Sequence, residues 1–184
     1  ANFKTTSQMS RNEMLTFLNR YLPRDIVIKK VEEMPERFHA RYNATGKKYS
    51  YYVWNNPIPT VFERNHSFYF PQELDLEKMN EACQKLMGSH DFIGFSALKK
   101  SKKSTVRTIH ELSIEQEGGM LHFTFVSNGF LYKMVGILMG TLLEIGTGKL
   151  PVSAIDDIFE NKVRQQAGET VPAHGLFLDE VYYQ

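Results

Sequence analysis

A chain of 184 residues suits one domain or two small lobes, and 42% hydrophobic residues against 23% charged ones are ample for a soluble core. A formal net charge of +1 argues against indiscriminate nucleic-acid binding and leaves room for a local basic face. Cys83 is alone, which rules out an intrachain disulfide. With no signal, transit or long apolar segment, the composition favours the cytoplasm.

In chain order, Ala1 to Thr5 reads as the end of a strand already under way, with no initiating Met. Ser10 and Glu13 form a capping box, in which each side chain satisfies the other's free backbone N–H. The helix it opens carries Met14, Leu15, Phe17, Leu18 and Tyr21 at helical spacing and stops before Pro23. Ile26 to Val31 reads as a strand. Ala44 to Asn55 is the strongest strand signal, with Tyr49, Tyr51 and Val53 on one face and Lys48, Ser50, Tyr52 and Trp54 on the other. Ser67 to Phe70 is a short strand. Asp75 caps a helix that turns Leu76, Met79, Cys83 and Leu86 inward and is closed by Gly88. His90 to Ser96 reads as a loop. Val106 to Gln116 and Met120 to Ser127 read as strands of a hairpin turning at Gly118-Gly119. A shorter helix opens at Pro151 and Ser153, and Gly175 to Tyr182 is the last strand.

Between the hairpin and that shorter helix, Leu131 to Ile145 is apolar at nearly every position. A helix apolar around most of its circumference belongs in a core. It is too short to span a bilayer, and Glu144 interrupts it. Gly136 and Gly140 lie one turn apart, and each costs about 1 kcal/mol relative to alanine. That cost implies that a backbone or a ligand approaches this stripe closely. From residue 67 onward the order is strand, helix, strand, strand, helix, helix, strand. This is an α+β, ferredoxin-like or RRM-like arrangement in which helices cover one face of an antiparallel sheet.

Among residues that could carry chemistry, the histidines are scattered, and no nucleotide-binding glycine loop occurs. No metal or nucleotide cofactor is therefore expected, and Cys83 reads as a small core residue. Lys47, Lys48, Tyr49, Tyr51 and Tyr52 interleave charge with rings, the pairing that clamps phosphates while stacking on bases. Composition alone favours the other reading, a tyrosine face in the core and a row of lysines in water. Lys99, Lys100, Lys102 and Lys103 form a basic run that reads either as a contact site or as a solvated loop.

Four stretches go further. Phe38-His39-Ala40-Arg41-Tyr42-Asn43-Ala44-Thr45-Gly46-Lys47-Lys48-Tyr49-Ser50-Tyr51 resembles a signature segment of the tRNA pseudouridine synthase A family. So do Gly88-Ser89-His90-Asp91-Phe92 with Phe95 and Val106-Arg107, Phe130-Leu131-Tyr132-Lys133-Met134-Val135 with Gly140-Thr141-Leu142, and His174-Gly175-Leu176-Phe177-Leu178. They stand in that family's order and spacing. The resemblance implies a homodimer that isomerises uridine to pseudouridine in the anticodon stem-loop of tRNA. The C1′–N1 bond is cleaved, the base turns and is rejoined through C5, and an aspartate in an Arg-Thr-Asp segment is essential. It implies that Tyr49 stacks on the target base and that Leu176 borders the pocket. Several of Arg41, Lys47, Lys48, Lys99, Lys100, Lys102, Lys103, Arg107 and Lys133 are expected to line the tRNA face.

Two departures follow. The Arg-Thr-Asp segment does not occur in these residues, so residues 1–40 are expected to be the remnant of an N-terminal subdomain, and 41–184 the C-terminal one. Gly136 stands where the family has an arginine that pairs with the aspartate, and a cavity is expected in its place. An RNA-binding protein without the chemistry, or a ferredoxin-like module with no RNA role, are the other readings.

Overall fold

The computed structural model describes residues 1–98 and 103–183 and divides into two compact units, Ala1–Ala44 and Thr45–Gln184. In the first unit, helix α1 (Arg11–Tyr21) begins at the capping box, with the Ser10 hydroxyl accepting from the Glu13 N–H and the Glu13 carboxylate accepting from the Ser10 N–H. Met14, Leu15 and Leu18 are half-buried, and no residue of α1 is fully buried.

The strands expected at Ala1 to Thr5 and Ile26 to Val31 are irregular chain. A strand exists only as a ladder with a neighbour. The Asn19 side chain takes both ladder groups of Ile28, accepting from its N–H at 2.7 Å and donating to its carbonyl at 2.8 Å. A side-chain amide thus stands where a paired strand would be.

The second unit is a six-stranded sheet with helices against one face. Strand β1 (Ala44–Trp54) is central, and β5 (Met120–Ser127) pairs antiparallel along it from Lys47↔Ser127 to Trp54↔Met120. Strand β4 (Val106–Glu117) follows β5, and β3 (Gly88–Asp91) closes that edge. The other edge of β1 is shared. Strand β2 (Phe68–Tyr69) lies parallel to its end, and β6 (Leu176–Tyr183) pairs with the rest. Tyr182 lies beside Thr45 and Gly175 beside Tyr52, so β6 runs back along β1.

β3 falls where a loop is expected. Gly-Ser-His-Asp has no alternation of its own, and β4 supplies the ladder. In β4 the pairing skips a residue between Ile109 and Glu111. This bulge lets Ile109 and Leu112, three apart, both reach the core.

Alternation in β1 sends Tyr51 and Val53 into the core beside Phe123 and Phe125 of β5. Helix α2 (Leu76–Leu86), capped by Asp75 on the Lys78 N–H, adds Met79, Ala82, Cys83 and Leu86. Burial pushes the Cys83 thiol up to about 12, so it stays an inert thiol. Helix α3 (Met134–Gly146) is buried everywhere except Glu144, and α4 (Ala154–Asn161) buries Ile155 and Ile158 and packs on α2 and the Phe92–Phe95 turn. Each fully buried large side chain of α3 contributes roughly 1.5–3 kcal/mol, which outweighs the two interior glycines.

The glycines admit a backbone. The segment 167–171 runs along α3, its Gly168 N–H donating to Thr141 Oγ1 at 3.0 Å and its Val171 N–H to the Gly136 carbonyl at 3.2 Å. The expected cavity at Gly136 is closed where a side chain would begin. A Cβ there would lie 3.1 Å from the Thr170 methyl and 3.7 Å from the Val171 carbonyl oxygen.

Candidate nucleic-acid interface

The two exposed regions of the sheet differ in charge. The face away from the helices carries Glu111, Glu115 and Glu117 of β4 and Asp179 of β6. Its centre is a polar chain across four strands. Glu115 lies 3.6 Å from His122 Nδ1, His122 Nε2 meets Ser50 Oγ at 2.8 Å, and the Ser50 hydroxyl donates to Asp179. The Tyr52 ring stacks on His122 at 4.6 Å. Carboxylates on this face repel phosphates, so the open face is a poor seat for RNA.

The cations gather at one end of the sheet, where β1 starts, β5 ends, β4 starts and α3 begins. Lys47 stands across from Ser127, and Lys48 from Val126. Beyond Ser127 the chain turns through Asn128, whose side chain accepts from the Thr108 N–H at 3.0 Å. Gly129 follows, with the Arg107 side chain against it. The Arg107 guanidinium donates to the carbonyls of Ser104 (3.0 Å) and Val106 (2.6 Å), neutral acceptors that fix it without cancelling its charge. Lys133 takes the left-handed conformation (φ 59°) that turns the chain into α3. Its ammonium lies 5.7 Å from the centre of the exposed Tyr132 ring. No side chain caps α3, and its first turn carries no acid, so the positive end of its dipole adds to this charge.

Among the described residues, Lys47, Lys48, Arg107 and Lys133 meet no carboxylate, whereas Lys78, Lys85 and Lys162 of the same unit are paired with Asp75, Asp156 and Asp91. A cluster of like charges left unpaired is stabilised by an anion from outside.

Tyr49 sits at the border between this end and the core. It is half-buried, lies across from Phe125, and meets Phe130 edge-on at 5.1 Å. Its phenol, neutral at physiological pH like any tyrosine, is pushed further from ionisation by burial and does not repel phosphates. The stretch from Thr170 to Leu176 links Gly136 to the tyrosine face of β1. The Val171 N–H reaches the Gly136 carbonyl, and the Pro172 carbonyl accepts from the buried Tyr51 hydroxyl at 2.6 Å. Gly175 lies so close to β1 that a Cβ would come within 2.7 Å of the Tyr52 carbonyl oxygen. Leu176 follows, half-buried against the core.

Of the residues singled out in the sequence, Tyr49, Lys47, Lys48, Arg107 and Lys133 share one end of the second unit, and Leu176 is tied to the tyrosine strand. Arg41 belongs to the first unit and is exposed. Lys103 is exposed, and Lys99, Lys100 and Lys102 lie outside the described residues. Among the described residues no three of His, Cys, Asp and Glu gather as metal ligands, and no helix is long and apolar enough to cross a membrane.

Comparison with known proteins points the same way. The family model described as tRNA pseudouridine synthase matches residues 82–184. A tRNA pseudouridine synthase A of Acetivibrio thermocellus is 43% identical over 183 residues, which is 100% of this chain and 75% of that protein. Its counterpart in Clostridium kluyveri is 40% identical over 99% of the chain and 75% of its own length, and one in Oceanobacillus iheyensis is 46% identical over 91% and 66%.

Proposed function

Since this chain belongs to the tRNA pseudouridine synthase family, we propose that it forms the uridine-receiving part of an enzyme that isomerises uridine in the anticodon stem-loop of tRNA. The observation that carries this reading is the joining of a half-buried neutral tyrosine, Tyr49, to a set of cations with no carboxylate partner. A target base must leave its stack, which costs a few kcal/mol and needs a ring to receive it. Tyr49 supplies the ring. Lys47, Lys48, Arg107 and Lys133 hold the flanking phosphates, and Leu176 walls the base in. The resemblance assigns the bond-breaking step to an aspartate in an Arg-Thr-Asp segment. These 184 residues hold no such segment, so they bind and orient the base and do not cleave its bond. The enzyme acts as a homodimer in the cytoplasm on this reading.

Neutralising Lys48, Arg107 or Lys133 should weaken binding of an anticodon stem-loop irrespective of its sequence. Each substitution should lower the slope of log affinity against log salt by about one unit. Stem-loop anisotropy titrations at several salt concentrations measure this, and affinities that stay unchanged in all three variants place the RNA elsewhere. Reversing Glu111, Glu115 and Glu117 to lysine gives the complementary measurement. On the proposed orientation it adds only non-specific binding.

A further inference from the structure

The first contacts of the connection between α4 and β6 expose a cation that the sequence pattern does not single out. Arg164 opens a short turn, Arg164–Gln166, that packs on the Phe92–Phe95 turn. Just beyond the latter, the Ala97 N–H donates to the Tyr132 carbonyl, beside Lys133. Arg164 is half-buried. One guanidinium nitrogen donates to the Ala167 carbonyl at 3.1 Å and the other to the Thr170 hydroxyl at 3.3 Å. Thr170 is the residue whose methyl closes the space beside Gly136.

A guanidinium has five N–H donors, and two neutral acceptors leave most of them and the whole charge unanswered. Arg164 meets no carboxylate among the described residues. Glu144 of α3 accepts from the Glu169 N–H at 3.2 Å and makes no ion pair with Arg164. A fixed, partly buried fork without a counter-ion is the geometry that takes a phosphate through two hydrogen bonds.

We propose that Arg164 is a phosphate-binding residue for RNA, extending the basic end of the sheet past Lys133 to the segment that covers the glycine-lined side of α3. This rests on the reading of the chain as a tRNA-binding one. The RNA backbone then runs from the start of β1 and β4 past Lys133 to the 164–170 turn.

The test is stem-loop binding by the 184-residue chain and its Arg164→Gln and Arg164→Lys variants across a salt series, with thermal unfolding of each. Arg164→Gln should weaken binding and lower the salt slope by about one unit, while Arg164→Lys keeps the slope and loses part of the affinity. The midpoint of unfolding should stay near that of the parent. A second measurement needs no variant: phenylglyoxal should modify Arg164 in the free chain, and the bound stem-loop should protect it, as read by peptide mass spectrometry. Unchanged affinity and slope, a loss that follows only the unfolded fraction, or equal modification with and without RNA overturns the proposal. A fall in turnover of the protein as its gene encodes it, with RNA affinity untouched, overturns it too, because the guanidinium then serves a carboxylate of the protein itself. If the parent chain binds the stem-loop without salt dependence, the tRNA reading itself fails, and that outcome is separate from the others.

Discussion

Gly140→Ala should be among the most damaging single-methyl changes in this protein. A Cβ at that position falls 1.7 Å from the Glu169 carbonyl oxygen and 2.8 Å from its carbon. The obstacle is backbone, so no rotamer change relieves it, and the 168–170 segment must lift from α3. Lifting breaks the buried Gly168 N–H bond to Thr141 and the Glu169 N–H bond to Glu144. Overpacking costs about 1–3 kcal/mol and an unmade buried hydrogen bond about 1–3 more, against about 1 kcal/mol gained in helix propensity. A net loss of about 3 kcal/mol lowers the melting temperature of a domain this size by roughly 6–12 °C. Gly136→Ala is the control, because its Cβ meets the Thr170 methyl at 3.1 Å, a side-chain end that can turn away. Its melting point should stay close to that of the parent. Thermal unfolding followed by circular dichroism measures both, and a Gly140→Ala chain as stable as the parent contradicts the close backbone approach.

The second large effect is expected at Tyr49. Base-aromatic stacking contributes about 1–3 kcal/mol per base, so Tyr49→Ala should weaken binding of a stem-loop by roughly 5- to 150-fold. The same change removes the edge-on contact with Phe130, so binding is to be measured at a temperature where the variant is folded. Tyr49→Phe keeps the ring and the contact and should keep the affinity. Equal binding by Tyr49→Ala and the parent removes the tyrosine from the RNA site. Loss in both variants assigns the role to the hydroxyl instead.

Elements that carry their own periodicity were readable in the sequence: β1 by its alternation, α2 by Asp75 and its inward stripe, the hairpin by Gly118-Gly119, and α3 by its continuous apolarity. Elements that owe their state to a neighbour were not. Gly88 to Asp91 is a strand only because β4 lies beside it, and Ile28 is held by a side chain in place of a strand. In the proposed site, Tyr49, Lys47, Lys48, Arg107 and Lys133 were singled out by the resemblance, and the topology brings them to one end of the sheet. The glycine stripe of α3 announces a close approach, and the approaching group is the 167–171 backbone. Arg164 had no such signal. It is one arginine in a polar loop, and only its two neutral acceptors, seen in the fold, reveal that its own charge is unanswered.

Whether these residues receive a tRNA uridine for isomerisation is read by tritium release. tRNA carrying tritium at uracil C5 is incubated with the protein as its gene encodes it, and in parallel with the 184-residue chain alone. Release is expected with the first, strongly reduced by Tyr49→Ala, and none with the second, which holds no Arg-Thr-Asp segment. Release by the 184-residue chain would place the nucleophile inside it. No release by the protein, despite salt-dependent tRNA binding, would make it an RNA-binding protein without the chemistry.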